Sequence, residues 1–455
     1  MHLTLSFTPT TLTAALWDGL ESVVELSAAF RTLGTASTAA LLHALDTTLL
    51  KLAAHADLGA VLTVSGAVPH PTALAPGPAF ASSRLDPALP AAAQLPDLAI
   101  ADPFSPTPFP GGTAPLGYVL TTVLLQRAGA ATPQERAMTA AFVGAETRAP
   151  SASAADSLGP VGAYWRERFG LRRARVLPFL PAALAIRLTL SPRAGDLVLA
   201  HGADVDYAVA PAPAPGGLPE LVGAGTVHVW ADANGPAARR LVRDKYANAK
   251  WDVLAHLASI LPAGGAIGHD DKCFAFVRPY AAAPGTTRFE LGAPVPEFRD
   301  LRANSRCVLE SQVLELRREF PGPVGRVLLV ARDLHAAIAP LLAAVFNADV
   351  HIADADADLA SLGAAIVAIA ASRRVPSAER ERPPTPGGSS PLPSPPRPPS
   401  PSSPAASSDA GEGFALRLAC SAPDRFEADM YAALGVEFAR LSVLVDHGMV
   451  APGRF

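Results

Sequence analysis

LGPVGAYWRERFGLRRARVLPFLPAALAIRLTLSPRAGDLVLAHGADVD, residues 158–206, is the stretch on which the reading of this chain turns. Inside it an apolar run over 176–186 lies between Arg175 and Arg187 and is too short to cross a bilayer. The spacing then predicts a strand at 196–200, a turn at Gly202 and a second strand at 206–209. Asp204 and Asp206 follow the glycine and read, on their own, as solvated turn residues.

Working outward, three alternating apolar runs open the chain at 3–7, 12–17 and 23–30, with a tight TPTT turn between the first two. A helical pattern covers 38–54 and an apolar strand is expected at 60–64. Past the central stretch come a strand at 226–231, a helix starting at Asn234-Gly235, a helix over 302–320, and a strand at 327–330. A helix over 334–346, a strand at 350–353 and a helix from Leu359 follow. The order strand-strand-strand-helix-strand therefore occurs twice, which implies a doubled α/β unit with a cleft between its halves.

Two regions stand apart. Residues 67–115 are rich in Pro, Ala, Gly and Ser and are expected to hold little regular structure. Residues 377–413, SAERERPPTPGGSSPLPSPPRPPSPSSPAASSDAGEG, cannot bury enough apolar surface to order themselves and read as a flexible, partly polyproline-II insert. Its PxxP patterns fit the grooves of SH3 or WW modules, against the simpler reading of a spacer. After it, 424–447 reads as one amphipathic helix returning to the body.

Composition narrows the function classes. At 455 residues the chain is long enough for two or three domains. A net charge of -4 gives no general attraction to nucleic acid or to an anionic membrane. Cys273, Cys307 and Cys420 form no CxxC and no metal-ligand spacing, as expected of structural thiols in a reducing compartment. MHLTLSFTPT has no positively charged lead and alternates like a strand, so the expectation is a soluble, cytoplasmic protein.

The framework of 158–206 resembles the segment that carries the catalytic aspartate in eukaryotic xylulokinases, members of the FGGY family of carbohydrate kinases. In that family a Leu-Gly-Pro, a tyrosine-rich helix and an Arg-aromatic-Gly lead to a Gly-Asp-Asn-Pro turn, and a strand with Gly-Thr-Ser follows. Here the lead-in is LGPVGAYWRERFG, the turn reads Pro181-Ala182-Ala183-Leu184, and Gly-Thr-Ser has become Gly202-Ala203-Asp204. Further blocks are similar to the family: NGPAARRLVRDKYANAKWDVL at 234–254, FAFVRPYAAAPGTTRFELG at 274–292, SRCVLESQVLELR at 305–317, and Leu362-Gly363-Ala364-Ala365. The family's Arg-Phe-Thr-Gly segment has no counterpart.

The resemblance implies an α/β fold of two ribonuclease-H-like (actin-like ATPase) domains with an interdomain cleft. It assigns a shortened sugar-binding domain to 1–192 and a nucleotide-side domain to 193–376. The disordered insert takes 377–413, and 414–455 is the C-terminal helix of the second domain. It also implies ATP and Mg²⁺ as cofactors and D-xylulose as the sugar, phosphorylated to D-xylulose 5-phosphate.

Such chemistry needs a phosphate cradle, a carboxylate for Mg²⁺, a base for the attacking hydroxyl and a sugar cleft. By the resemblance the base position is Ala182, which has nothing to accept a proton with, and Ala183 replaces the neighbouring asparagine. The aspartate that organises Mg²⁺ becomes Ser6, and Pro9 removes an N–H from that loop. The glycine loop after RVLLV becomes Ala331-Arg332-Asp333-Leu334. Trp251 aligns with the tryptophan beside adenine; on its own it reads as an amphipathic core residue. Gly202 keeps the second hairpin's glycine. His70 aligns with the substrate histidine but is flanked by prolines, and alone reads as a loop or partly buried histidine. The sugar-side aspartate of Trp-x-Asp-Ser is lost in Pro108-Phe109-Pro110-Gly111.

Asp204 and Asp206 are the nearest aspartates downstream that a rearranged site would use. Asp354, Asp356 and Asp358 suggest a calcium loop, but Leu359 stands where its glycine and Ala365 where its glutamate belong. Three readings follow: a xylulokinase-like protein that has lost phosphate transfer, a working sugar or polyol kinase with a rearranged site, or an interaction protein using its cleft or its proline-rich insert.

Overall fold

The computed structural model describes residues 1–8, 10–29, 38–68, 87–90, 157, 159–211, 218–219, 226–265, 272–280, 284–331, 334–353, 358–374 and 416–453. The expectations for Pro9, for His70, for Arg332-Asp333, for Asp354 and Asp356, for 69–86 and 91–115 of the stretch 67–115, and for the insert at 377–413 lie outside these residues.

The chain opens with β1 (His2–Phe7), β2 (Thr11–Asp18) and β3 (Glu21–Ala29), then α1 (Thr38–His55) and β4 (Thr63–Val68). β5 (Gly159–Pro160), α2 (Ala163–Phe169) and β6 (Arg175–Pro181) complete a sheet of order β3-β2-β1-β4-β6-β5. In it β1 is antiparallel to β2 but parallel to β4, and β4 is parallel to β6. After α3 (Ala182–Leu190), the strands β7 (Leu197–His201), β8 (Asp206–Pro211), β9 (Leu218–Pro219) and β10 (Thr226–Asp232) begin a second sheet. α4 (Asn234–Tyr246) and α5 (Trp251–Ser259) come next, then a separate sheet of β11 (Cys273–Arg278), β12 (Gly285–Glu290) and β13 (Ala293–Val295). α6 (Ala303–Glu319), β14 (Arg326–Val330), α7 (His335–Phe346), β15 (Asp349–Ala353), α8 (Leu359–Arg374), β16 (Leu416–Cys420) and α9 (Arg425–Asp446) finish the chain. The second sheet runs β16-β15-β14-β7-β8-β10-β9, with β14 parallel to both β7 and β15. The run β3-β2-β1-β4-β6 in one sheet therefore matches β10-β8-β7-β14-β15 in the other, and the doubled unit expected from element order is present.

Several elements differ from the sequence reading, and 414–455, expected as a helix, holds the strand β16 before the helix α9 begins at Arg425. The strand expected at 60–64 begins later, at Thr63. Asp57 accepts the Gly59 amide at 2.8 Å, and this short cap winds Leu58–Ala60 into a 3₁₀ turn ahead of the strand. The apolar run 176–186 divides at Pro181 into β6 and the helix α3. A continuously apolar segment buried on all sides carries no period, so its switch from strand to helix is invisible.

The core follows the same doubling. Leu3, Leu5, Trp165 and Val176 fill the first body, and Leu197, Phe276, Leu309 and Phe438 fill the second. A further apolar cluster joins them: Ala67 and Leu180 of the first sheet, most of α3, Val198 and Tyr207 of the second sheet, and Leu359 of α8. α3 and α8 cross with their backbones nearly touching, since a Cβ on Gly363 would lie 2.1 Å from the Ala185 carbonyl oxygen. α8 also reaches the first sheet through buried hydroxyls. Ser361 Oγ meets Thr4 Oγ1 at 2.5 Å, Trp17 Nε1 donates to Thr4 Oγ1 at 2.8 Å, and Ser65 Oγ donates to the Ala364 carbonyl at 3.2 Å.

Candidate functional site

Ligand groups in α/β sheets gather beyond the carboxyl ends of the strands. β6 ends there at Pro181, and Ala182 is the first residue of α3. The position suits a catalytic side chain, yet Ala182 and Ala183 are 3 % and 1 % exposed and belong to the apolar cluster between the sheets. The first turn of α3 holds no acidic residue.

The two hairpin turns of the doubled unit meet above it. In the first, the Thr8 amide donates to the Thr11 carbonyl at 2.9 Å, and Thr8 Oγ1 accepts the Thr11 amide at 3.0 Å. This side-chain turn leaves the hydroxyls of Thr8 and Thr10 facing the second hairpin. Ser6, in the preceding strand, is buried. Among the described residues there is no group of three His, Cys, Asp or Glu side chains able to hold a metal ion. A single buried hydroxyl is a poor substitute for carboxylate ligands on a hard cation, so the position of Ser6 does not fit Mg²⁺.

The second hairpin joins β7 to β8 through Gly202, Ala203, Asp204 and Val205. A Cβ at Gly202 would lie 2.2 Å from the Val205 carbonyl oxygen, so the turn closes only on glycine. Neither aspartate is a solvated turn residue. Asp206 is buried: its carboxylate takes two bonds from Arg239, at 2.6 and 2.8 Å, and accepts the Gly202 amide at 3.2 Å. Asp204 reaches across to the first hairpin, where the hydroxyls of Thr10 and Thr8 donate to Oδ2, the latter at 3.4 Å. Its Oδ1 faces Arg240 Nη1 at 3.4 Å. α4 supplies both arginines because positions 239, 240 and 243 share one side of a helix. That helix begins against Asp232, which accepts the amides of Asn234 at 2.9 Å and Gly235 at 2.6 Å.

Beside these turns lies a cavity of about 270 Å³, walled by Gly202, Arg240, Arg243, Trp251, Ala331 and Leu334. This is just under the range of about 300–1,000 Å³ usual for ligand pockets. Trp251 is half-buried, and the Arg243 guanidinium sits 4.4 Å from its ring centroid. The structure therefore brings Gly202 and Trp251 onto one cavity. An aromatic face, two guanidiniums and a glycine turn are donors suited to a flat, anionic ligand, and a nucleotide is of that kind. Arg240 and Arg243 were not singled out in the sequence, although two arginines three apart and ahead of a tryptophan were a legible signal.

A second, smaller space of about 20 Å³, room for one water, adjoins it between His201, Asp206, Asp232, Gln312 and Glu315. Burial lowers the His201 pKa to about 4, with Arg239 adding to the effect and Asp206 opposing it. Burial, reinforced by Asp206, raises that of Asp232, and burial raises that of Glu315. His201 Nδ1 has no partner among the described atoms. His201 lines both spaces, and burial favours the neutral forms of His201, Asp232 and Glu315.

No family model matches the chain, and no curated protein matches it in sequence. Solved structures do match in fold. Ligand-bound xylulose kinase from Lactobacillus acidophilus superposes with a TM-score of 0.62 at 10% identity, over 98% of this chain and 99% of that one. Gluconate kinase from the same organism gives 0.61 at 10% identity, over 97% and 98%. A xylulose kinase from Brucella ovis gives 0.60 at 13% identity, over 99% and 100%. At such identities the likeness establishes the fold, the two-domain α/β architecture of sugar kinases.

Proposed function

We propose that this chain is a xylulokinase-like carbohydrate kinase homologue that no longer transfers phosphate. The fold of the sugar kinases supports the ancestry, and Ala182 carries the reading. It stands at the end of β6, where the resemblance puts the base, and it is buried among apolar side chains. A positioned general base contributes roughly 10²–10⁴-fold to rate, and a methyl group contributes none of it. The family reaction, ATP with D-xylulose giving D-xylulose 5-phosphate, remains the process to which the ancestry points.

On this reading, 1–192 forms the sugar-side domain and 193–376 with 414–455 the nucleotide-side domain. Gly202, Arg240, Arg243 and Trp251 would hold the phosphates and base of ATP, and His70 would face the sugar. The protein works in the cytoplasm, and the insert at 377–413 is the segment offered to an SH3 or WW partner. Among the described residues no helix is long and apolar enough to cross a membrane.

The test is ADP release with ATP and Mg²⁺ over D-xylulose, D-ribulose, xylitol and glycerol. Folded protein is expected to show no sugar-dependent turnover. One observation favours a second reading, a rearranged kinase site. Asp204 is the partly exposed carboxylate between the hairpins, whereas Asp206 is already bound by Arg239 on both oxygens. Turnover that disappears in Asp204→Ala would establish that reading and end the first.

A further inference from the structure

Three arginines of α4 stand at the cavity, and each already faces a carboxylate. Arg239 and Asp206 form a two-bond pair with both side chains 4% exposed. Arg243 holds its neighbour Asp244 at 2.6 and 2.7 Å and is stacked on Trp251. Arg240 differs. Its Nη1 donates to the Ala203 carbonyl and meets its carboxylate, Asp204 Oδ1, only at 3.4 Å, and the two side chains are 35% and 21% exposed. A buried two-bond pair resists exchange, whereas a long, half-exposed pair is weak and readily exchanged. Of the three guanidiniums, Arg240 is the one an incoming anion can take.

Asp204 is also tied at its other oxygen. Thr8 and Thr10, on the turn between β1 and β2, donate to Oδ2, whereas Asp204 itself sits on the turn between β7 and β8. One carboxylate thus joins the two hairpins and meets Arg240, which lines the cavity. Its partners, two hydroxyls and a guanidinium, are the donors that an oxyanion uses.

We propose that Asp204 is a built-in competitor for anions. Its carboxylate occupies Arg240 and the threonine hydroxyls of the opposite hairpin, and a phosphate-bearing ligand gains Arg240 only by displacing it. Displacement also releases the first hairpin from the second, so anion binding is coupled to their separation. The proposal rests on the reading of the cavity as the nucleotide side, but it concerns binding alone. Sugar-dependent turnover would overturn the loss of phosphate transfer without touching it.

The test is titration calorimetry of ADP, with Mg²⁺ and with a chelator, and of inorganic tripolyphosphate. The proteins are the wild-type chain, Asp204→Asn, and the double variant Asp204→Asn with Arg240→Gln, each shown by melting temperature to be folded. The asparagine variant keeps the size of the side chain and removes its charge. It is expected to bind both ligands at least about tenfold more tightly than wild type, with or without Mg²⁺, because a like charge near a phosphate is removed. The double variant is expected to lose that gain. An affinity unchanged in Asp204→Asn, including no binding by either protein, overturns the proposal. So does a gain that survives Arg240→Gln. Weaker binding confined to the Mg²⁺ samples would assign Asp204 to the cation and overturn it as well.

Discussion

At the level of single residues, losses were legible and alliances were not. That residues 6 and 182 are Ser and Ala, and so carry no carboxylate, is read directly from the sequence. Asp206 and Arg239, by contrast, are separated by 33 residues and pair only because β8 and the start of α4 lie together. His201, beside that pair, yields a prediction. Its pKa is held near 4 against the usual 6.5, so between these values the unfolded chain binds a proton that the folded one refuses. Stability is therefore full above about pH 6.5 and falls as the pH drops toward 4, by up to about 1.4 kcal/mol per unit for one such proton. Buried His2, likewise near 4, titrates in the same window. Urea unfolding of His201→Gln is expected to lose less stability than wild type between about pH 7 and pH 5. Equal losses would show that His201 is not a source of the acid limb.

At the level of elements, strands and helices set off by turn signals were readable. β1, β2, α6 and α7 fall within a residue or two of the positions expected for them. α3 was not, because its residues 182–187 and 189–190 are all buried and its apolar run continues directly from β6. β16 was also missed; it is a short strand that pairs with β15 and starts just past the proline-rich insert. The crossing of α3 and α8 depends on Gly363, where a side chain would collide with the Ala185 backbone. Gly363→Ala is expected to cost about 1–3 kcal/mol, because backbone rather than a flexible side chain must give way. Gly322→Ala, with nothing within 4 Å of the added carbon, is the control and should leave the melting temperature nearly unchanged.

At the level of the whole molecule, the two sheets share a core. The cluster of Ala67, Leu180, Val198 and Leu359 belongs to neither sheet alone, and the Thr4–Ser361 contact fastens α8 to the first sheet. Two bodies joined by little more than a linker would melt separately. Calorimetry is here expected to show one transition, and Thr4→Val should move it down as a whole, since it strips Trp17 and Ser361 of a buried partner at about 1–3 kcal/mol. Two resolved transitions, with only the earlier one shifted, would show that the shared cluster does not couple the halves.

From its sequence alone the chain could be read as a doubled α/β protein, because the order and period of its elements are local properties of apolar spacing. That position 182 carries an alanine was equally plain, since a side chain's identity does not depend on its surroundings. What tertiary structure decided was where the remaining charges went: Asp206 into a buried pair, Asp204 across to the first hairpin, Arg240 and Trp251 onto one cavity. Those outcomes depend on distances between residues far apart in the chain, and such distances exist only once the two sheets have packed against each other.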